Sequence, residues 1–334
     1  MSTTSMSLES LSFLLQHMDA NRRFEITNRC PSLREFEKTV PLKINSLVLT
    51  ERSIIVNDTV YQIGIIRECI AGKTPRYVAE DNEKGGVAYE VNAYGLKDES
   101  NALPVTPGDV VMSQHERPET MKQMATLLLG GRSSPISVTT LEVDFAGSGV
   151  IRLPINLQLR IEQLVFRMHS ETTVGVLAPI LHESSFPLKK LYINYWSDED
   201  ATNPMIKTAE SLRIRYIYTD VPQAISSITN PLVRISNPVV RMPHEQNIER
   251  IVRNWIESQR PVGHNYIFDF YSDPRFPNEI EDMAKELNGV IIDDENLIIP
   301  MNNATQLKVS YGSFPDFAPR SKWAVKFLTE AVEH

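Results

Sequence analysis

The stretch Leu191-Tyr192-Ile193-Asn194-Tyr195-Trp196 decides how the second half of the chain is read. It is a short apolar run rich in β-branched and aromatic residues, the composition of a buried strand. Alternation puts Leu191, Ile193 and Tyr195 on one face and Tyr192 and Asn194 on the other. Three more runs look alike, at residues 141–145, 163–167 and 216–218. Taking Leu141, Leu164, Leu191 and Tyr216 as equivalent positions, the steps are 23, 27 and 25 residues, a period of leucine-rich-repeat size.

Helical segments separate the later runs. Residues 173–183 carry Val174, Leu177, Ile180 and Leu181 at helical spacing, and residues 201–212 carry Met205, Ile206 and Ala209. Strand followed by helix, repeated, predicts a parallel sheet with each strand covered by the next helix. Beyond this the period drifts. A strand over 232–235, a helix over 245–258, a strand over 266–270, a helix over 278–288 and strands over 290–292 and 307–311 follow. A helix over 322–330 is expected to cap the open end, as terminal units of stacked repeats must. The fold class is therefore α/β, an irregular leucine-rich-repeat-like strand–helix array over residues 132–334, with an ordinary α/β sandwich as the alternative.

Upstream the pattern differs. Residues 1–43 read as helical: Ser7 can cap a helix striped with Leu8, Leu11, Leu14, Leu15 and Met18, with Glu9 near its positive end. Asp19 and Asn21 interrupt, a second helix runs over 22–29, and Ser32 with Glu35 matches a capping box for a third that ends before Pro41. The leucine stripe is read either as packing among these helices or as a docking helix for a partner. Over residues 44–131 a small antiparallel β meander is expected, from Leu47-Val48-Leu49 through Ile54-Ile55-Val56 and an Asn57-Asp58 turn to Val60, Tyr61, Ile63 and Ile65. A Gly- and Pro-rich insertion follows, with one hairpin at 87–91. A helix over 117–129 then presents Met121, Met124, Leu127 and Leu128, closed by Gly130-Gly131.

Composition bounds the function. The chain has 334 residues, 42% hydrophobic and 23% charged, enough to bury a sizeable core. Its net charge of -8 repels phosphate backbones unless basic residues segregate onto one face, so nucleic acid is not the expected partner. The two cysteines, Cys30 and Cys69, form no disulfide framework and read as buried small hydrophobes. No run of about 20 apolar residues is present to span a bilayer, and the first ten residues lack a basic n-region and an apolar h-region. No membrane partner and a cytoplasmic or nuclear location are expected.

Catalytic chemistry is not visible. The seven histidines stand singly, without another ligand at metal spacing, so no metal is expected. Asp198-Glu199-Asp200 and Asp293-Asp294-Glu295 read as solvated turns. Gly85-Gly86, Gly130-Gly131 and Gly147-Ser148-Gly149 lack the spacing of a phosphate cradle, and no Gly-x-Ser-x-Gly elbow occurs. The expectation is a protein that is not an enzyme and carries no cofactor, with a hydrolase using Cys30 or Cys69 as a remote reading.

Residues 7–42, SLESLSFLLQHMDANRRFEITNRCPSLREFEKTVPL, resemble a divergent F-box: a leucine-striped helix, a polar break, an Arg-rich helix and a capped third. The stretches from Arg29 to Arg34, Val60 to Ile65 and Gly85 to Gly95 resemble a nematode-expanded family related to F-box proteins. A helix ending Asn254-Trp255-Ile256 resembles one in the F-box-associated domain of such proteins. The resemblance implies a substrate-receptor subunit of a cullin–RING ubiquitin ligase. Leu8, Leu11, Leu14 and Leu15 would hold a Skp-type adaptor, and the repeat region would hold an unknown protein substrate. F-boxes open with a Leu-Pro pair, and Ser7-Leu8-Glu9 has no proline, which leaves a non-ligase scaffold without adaptor binding as the alternative. Exposed aromatics anchor such interfaces, so Tyr192, Tyr195 and Trp196 are the expected partner-binding residues, with burial in the core as the competing reading.

Overall fold

The structure is a computed structural model that describes residues 6–51, 53–62, 92–95, 116–144, 152–167, 174–197, 199–217, 220–236, 246–270, 276–312 and 323–332. The class is α/β, with small N-terminal helices and mixed β-structure. The chain divides into two compact units, residues 1–161 with 180–182 and residues 162–179 with 183–334.

The first unit begins with α1 (Leu8–His17), whose N-terminus is capped as expected: the backbone N–H of Ser10 donates to the Ser7 hydroxyl at 3.1 Å. Asp19 does more than interrupt. It accepts from the Asn21 N–H at 2.8 Å and so starts α2 (Ala20–Arg29) two residues earlier than predicted. The Ser32/Glu35 capping box does not form. Pro31 opens a 3-10 turn over Pro31–Leu33 that runs directly into α3 (Arg34–Thr39), and neither has a side-chain cap. With φ preset by the proline, helical geometry has begun before Ser32 is reached.

Next come β1 (Lys43–Thr50), β2 (Ser53–Val56), β3 (Thr59–Gln62), β4 (Asn92–Gly95), α4 (Glu116–Leu129) and β5 (Ile136–Asp144). The strand order is β5-β1-β2-β3-β4, with β5 parallel to β1 and the rest antiparallel. Asn57 turns the meander at φ 55°, and its side-chain oxygen accepts from the N–H groups of Asn45 and Ser46. Ile63, Ile65, Phe145 and the 87–91 hairpin lie outside the described residues. On α4, Met121, Met124 and Leu128 are buried, but Leu127 is exposed. Gly131, at φ 70°, closes the helix in the left-handed region glycine favours.

A buried ion cluster holds this unit together. Arg23 Nε donates to Glu37 Oε1 at 2.8 Å, and its other nitrogens donate to the carbonyls of Glu37, Val40 and Pro41. Arg132 reaches the same carboxylate at 3.1 and 3.3 Å and the Leu128 carbonyl at 3.2 Å. Their side chains are 1%, 3% and 4% exposed for Arg23, Glu37 and Arg132. Burial pulls both guanidinium pKa values below the usual range, and Glu37 opposes that shift.

The second unit takes the greater part of β6 (Leu159–Phe166), then β7 (Lys190–Trp196), α5 (Pro204–Thr208), β8 (Ser211–Ile217), α6 (Val221–Ser227) and β9 (Leu232–Ile235). It continues with α7 (Gln246–Glu257), β10 (Asn265–Phe270), α8 (Phe276–Glu286), β11 (Val290–Asp293), β12 (Asn296–Pro300), β13 (Thr305–Gly312) and β14 (Trp323–Ala331). Strands β6 to β10 lie side by side and parallel, while β10-β14-β13-β12-β11 continue antiparallel.

Several expectations change here. Leu191 pairs with Leu212, not Tyr216, so Leu164, Leu191, Leu212, Val233 and Tyr266 are the equivalent positions, in steps of 27, 21, 21 and 33 residues. Residues 211–215 alternate polar and apolar with period two, and β8 claims Leu212 and Ile214 for the core. The helix expected over 201–212 shrinks to α5, which Asn203 caps and Pro204 opens. The helix expected over 173–183 is a 3-10 segment, Val174–Ile180, with Pro179 inside it. The terminal helix expected over 322–330 is instead β14, which pairs with both β10 and β13. Helix α6 and strand β12 were not anticipated.

The core of this unit lies on the face of Leu191, Ile193, Leu212, Ile214, Val233, Ile235, Tyr266 and Phe268. Trp255 of α7 packs edge-on against Tyr266 at 4.7 Å and Phe327 at 5.7 Å, and its indole N–H donates to Thr329 Oγ1 at 2.9 Å. Arg260 donates to the Ile225 and Ser226 carbonyls at 2.7 and 3.2 Å and to that of Ile228, placing a cation on the negative end of α6.

Candidate functional site

The reverse face of the parallel strands is built from the residues that alternation excludes from that core. Register sets Tyr192 beside Arg213, and Arg213 beside Arg234. One step further along the strands come Asn194 and Arg215, with Asp269 on β10 two residues past Ile267, the partner of Arg234. Tyr192, Arg213, Arg215 and Arg234 are half-buried, whereas Asn194 and Asp269 are buried.

Tyr192 sits at the centre of the charge. The guanidinium carbons of Arg167 and Arg213 lie 5.8 and 5.6 Å from its ring centre, within the range of a cation–π contact. Burial pushes the Tyr192 hydroxyl pKa up, against the opposing pull of Arg215, Arg167 and Arg213. Arg234 is matched: it grips Asp269 with two hydrogen bonds, at 2.8 and 3.1 Å. Arg213 donates to the Ser236 hydroxyl at 3.1 Å, and Arg215 lies 5.0 Å over the Tyr216 ring. Among the described residues neither has a carboxylate within ion-pair distance. The side-chain oxygen of Asn194, a residue only 6% exposed, accepts no hydrogen bond.

The three aromatics expected to bind a partner therefore part company. Tyr192 stands on the cationic face. Tyr195 is half-buried and stacks on Tyr216 at 5.4 Å. Trp196 lies beside Ile217 in the strand register, on the Tyr192 side by alternation, but at 3% exposed it is buried and offers no surface to a partner. The arginines were missed, although the alternation Ser211-Leu212-Arg213-Ile214-Arg215 was the signal.

In the first unit the four leucines of α1 also separate. Leu15 is 3% exposed and anchors the helix, and Leu11 is half-buried. Leu8 and Leu14 are exposed, at 67% and 45%, together with Phe13 at 66%. A cleft of about 910 Å³ lies nearby, lined by residues including Asp19, Asn21, Arg22, Phe24 and Tyr61. Tyr61 donates to Asn21 Oδ1 at 2.9 Å, and burial with the negative charge of Asp19 and Glu25 pushes its pKa up to about 12. The residues lining the cleft include no histidine or cysteine.

Two smaller expectations are corrected. Cys30 is exposed, not buried, while Cys69 lies outside the described residues. Asp200 is no solvated turn residue. It is 6% exposed, accepts from the Ser197 N–H and hydroxyl at 2.8 and 3.1 Å, and has its pKa raised by burial. Among the described residues no group of three His, Cys, Asp or Glu side chains is placed to hold a metal ion, and no helix is long and apolar enough to cross a membrane.

Residues 116–272 match the family model described as Domain of unknown function (DUF3557). The matched stretch includes Tyr192, Arg213, Arg215, Arg234 and Asp269 and excludes α1. No curated protein and no solved structure matches the chain.

Proposed function

We propose that this chain is a protein-recognition module, not an enzyme, working as the substrate-receptor subunit of a cullin–RING ubiquitin ligase in the cytoplasm or nucleus. In this reading α1 docks a Skp-type adaptor and the sheet face around Tyr192 holds a protein substrate. The observation that carries the recognition half is the cationic face itself: Arg213 lies over the Tyr192 ring and Arg215 over the Tyr216 ring, and neither has a carboxylate within ion-pair distance among the described residues. Interfaces are enriched in arginine and tyrosine, the residue types that make up this row. Strands β6 to β10 serve here as an irregular, leucine-rich-repeat-like platform that displays one residue row per strand.

The adaptor half rests on α1, where Leu8, Phe13 and Leu14 present apolar surface that none of the described residues covers. Because Leu15 is part of the core, the informative variant is Leu8→Asp with Leu14→Asp, which leaves Leu15 in place. The full chain, tagged, is expected to capture a purified Skp-type adaptor, and this pair to abolish capture at an unchanged melting temperature. Failure of the unmodified chain to capture adaptor would remove the ligase reading. It would favour the second one, a scaffold that recognises partners through the sheet face alone, to which the absence of a proline beside Leu8 points.

A further inference from the structure

We propose that the sheet face of the second unit takes a phosphorylated segment of a partner protein, with the phosphate held between Arg213 and Arg215 and the neighbouring residue of the segment against the Tyr192 ring. This deepens the recognition reading and rests on it, but it does not depend on the ligase.

The geometry favours a compact dianion. Arg213 and Arg215 are two residues apart on one strand and share a face, so their side chains start roughly 6–7 Å apart. That spacing lets two guanidinium forks approach one group from two sides. The face already shows how it handles a single carboxylate: Arg234 alone takes both oxygens of Asp269. A second carboxylate would leave one of the two remaining guanidiniums unmatched. A phosphoserine or phosphothreonine carries about -1.5 to -2 charges and three acceptor oxygens, enough for both.

A polynucleotide fits less well. Its charge runs on past the cluster, and a chain of net charge -8 repels what lies beyond. Tyr192, beside Arg213 in the register, offers a flat ring to the residue next to the phosphate.

The test uses the full chain and two oriented peptide libraries, identical except that one carries a central phosphoserine or phosphothreonine and the other the free hydroxyl. A labelled oligouridine is the polynucleotide probe, and inorganic phosphate the competitor. The phosphorylated library is expected to be retained at least about tenfold better, to be displaced by phosphate, and to lose that preference in R213A/R215A. Arg215→Ala alone is the second variant, since that side chain lies over the Tyr216 ring and takes no part in an ion pair among the described residues, and is expected to lose most of the preference if the pair proves unstable. Equal retention of the two libraries, tighter binding of oligouridine, or an undiminished preference in both variants would overturn the proposal. Adaptor capture measured on the same preparations separates the readings. Capture without phosphate preference removes the phosphate assignment alone, and preference without capture removes the ligase alone.

Discussion

In the first unit Arg23 and Arg132 are sealed from water and share one carboxylate, Glu37, with backbone carbonyls taking most of their remaining N–H groups. In the second unit Arg213 and Arg215 are half-buried on a sheet face, carry the same charge, and meet rings and a serine hydroxyl but no described carboxylate. Burial and pairing differ together, and so should the consequences of losing each. A sealed guanidinium is part of the fold, because removing its counter-charge strands a desolvated ion. A half-exposed, unmatched one keeps its hydration until something displaces the water. The contrast assigns stability to the first pair and recognition to the second.

The largest expected effect is at Glu37. Glu37→Ala leaves two buried cations without their counter-ion and should cost about 3–5 kcal/mol, read from urea unfolding of the full chain. A loss under about 1 kcal/mol would mean that the carbonyls alone satisfy the two guanidiniums. Next comes the leucine stripe. Leu15→Ala should cost about 2–5 kcal/mol as a core truncation, while Leu14→Ala should stay within about 0.5 kcal/mol. Equal costs would mean that Leu15 is not the buried anchor of α1 and Leu14 not its exposed neighbour. In the second unit, Thr329→Val removes the acceptor of the Trp255 indole N–H and should cost about 1–3 kcal/mol.

A smaller, pH-dependent effect follows from Tyr266, whose buried hydroxyl donates to the Ile228 carbonyl and has its pKa pushed up to about 12. The unfolded chain loses this proton near pH 10. The contribution to stability is therefore complete below about pH 10 and is lost as the pH rises toward 12. Urea midpoints taken upward from pH 9 should fall in the native chain and fall less in Tyr266→Phe. Tyr61, raised by burial in the first unit to about 12 as well, predicts the same sign for Tyr61→Phe.

Much of the α/β alternation was legible because its signals are local. Ser7 caps α1, Leu47 to Val56 fold back as a meander, and α7 and β10 keep their periods. What escaped was decided at a distance. Residues 323–331 contain Ala, Lys, Leu and Glu, all good helix formers, yet pairing with β10 and β13 makes them a strand with Val325, Phe327 and Thr329 buried in alternation. Helix α6, seven residues long, is too short for a period to show, although Asp220 and Pro222 mark its start. The cationic face could not be read from one stretch. Tyr192, Arg213 and Arg234 meet only once three strands are set in register with 21-residue steps, and a guess of Tyr216 as the equivalent position hides the row.

The most direct test of the division between structural and recognition arginines is the urea midpoint of the full chain carrying R213A/R215A, measured beside Glu37→Ala. The account predicts a midpoint for the arginine pair close to that of the native chain, each substitution costing no more than about 0.5 kcal/mol, while Glu37→Ala falls far below it. A drop for R213A/R215A as large as that for Glu37→Ala would contradict it, because the sheet-face arginines would then be holding the fold.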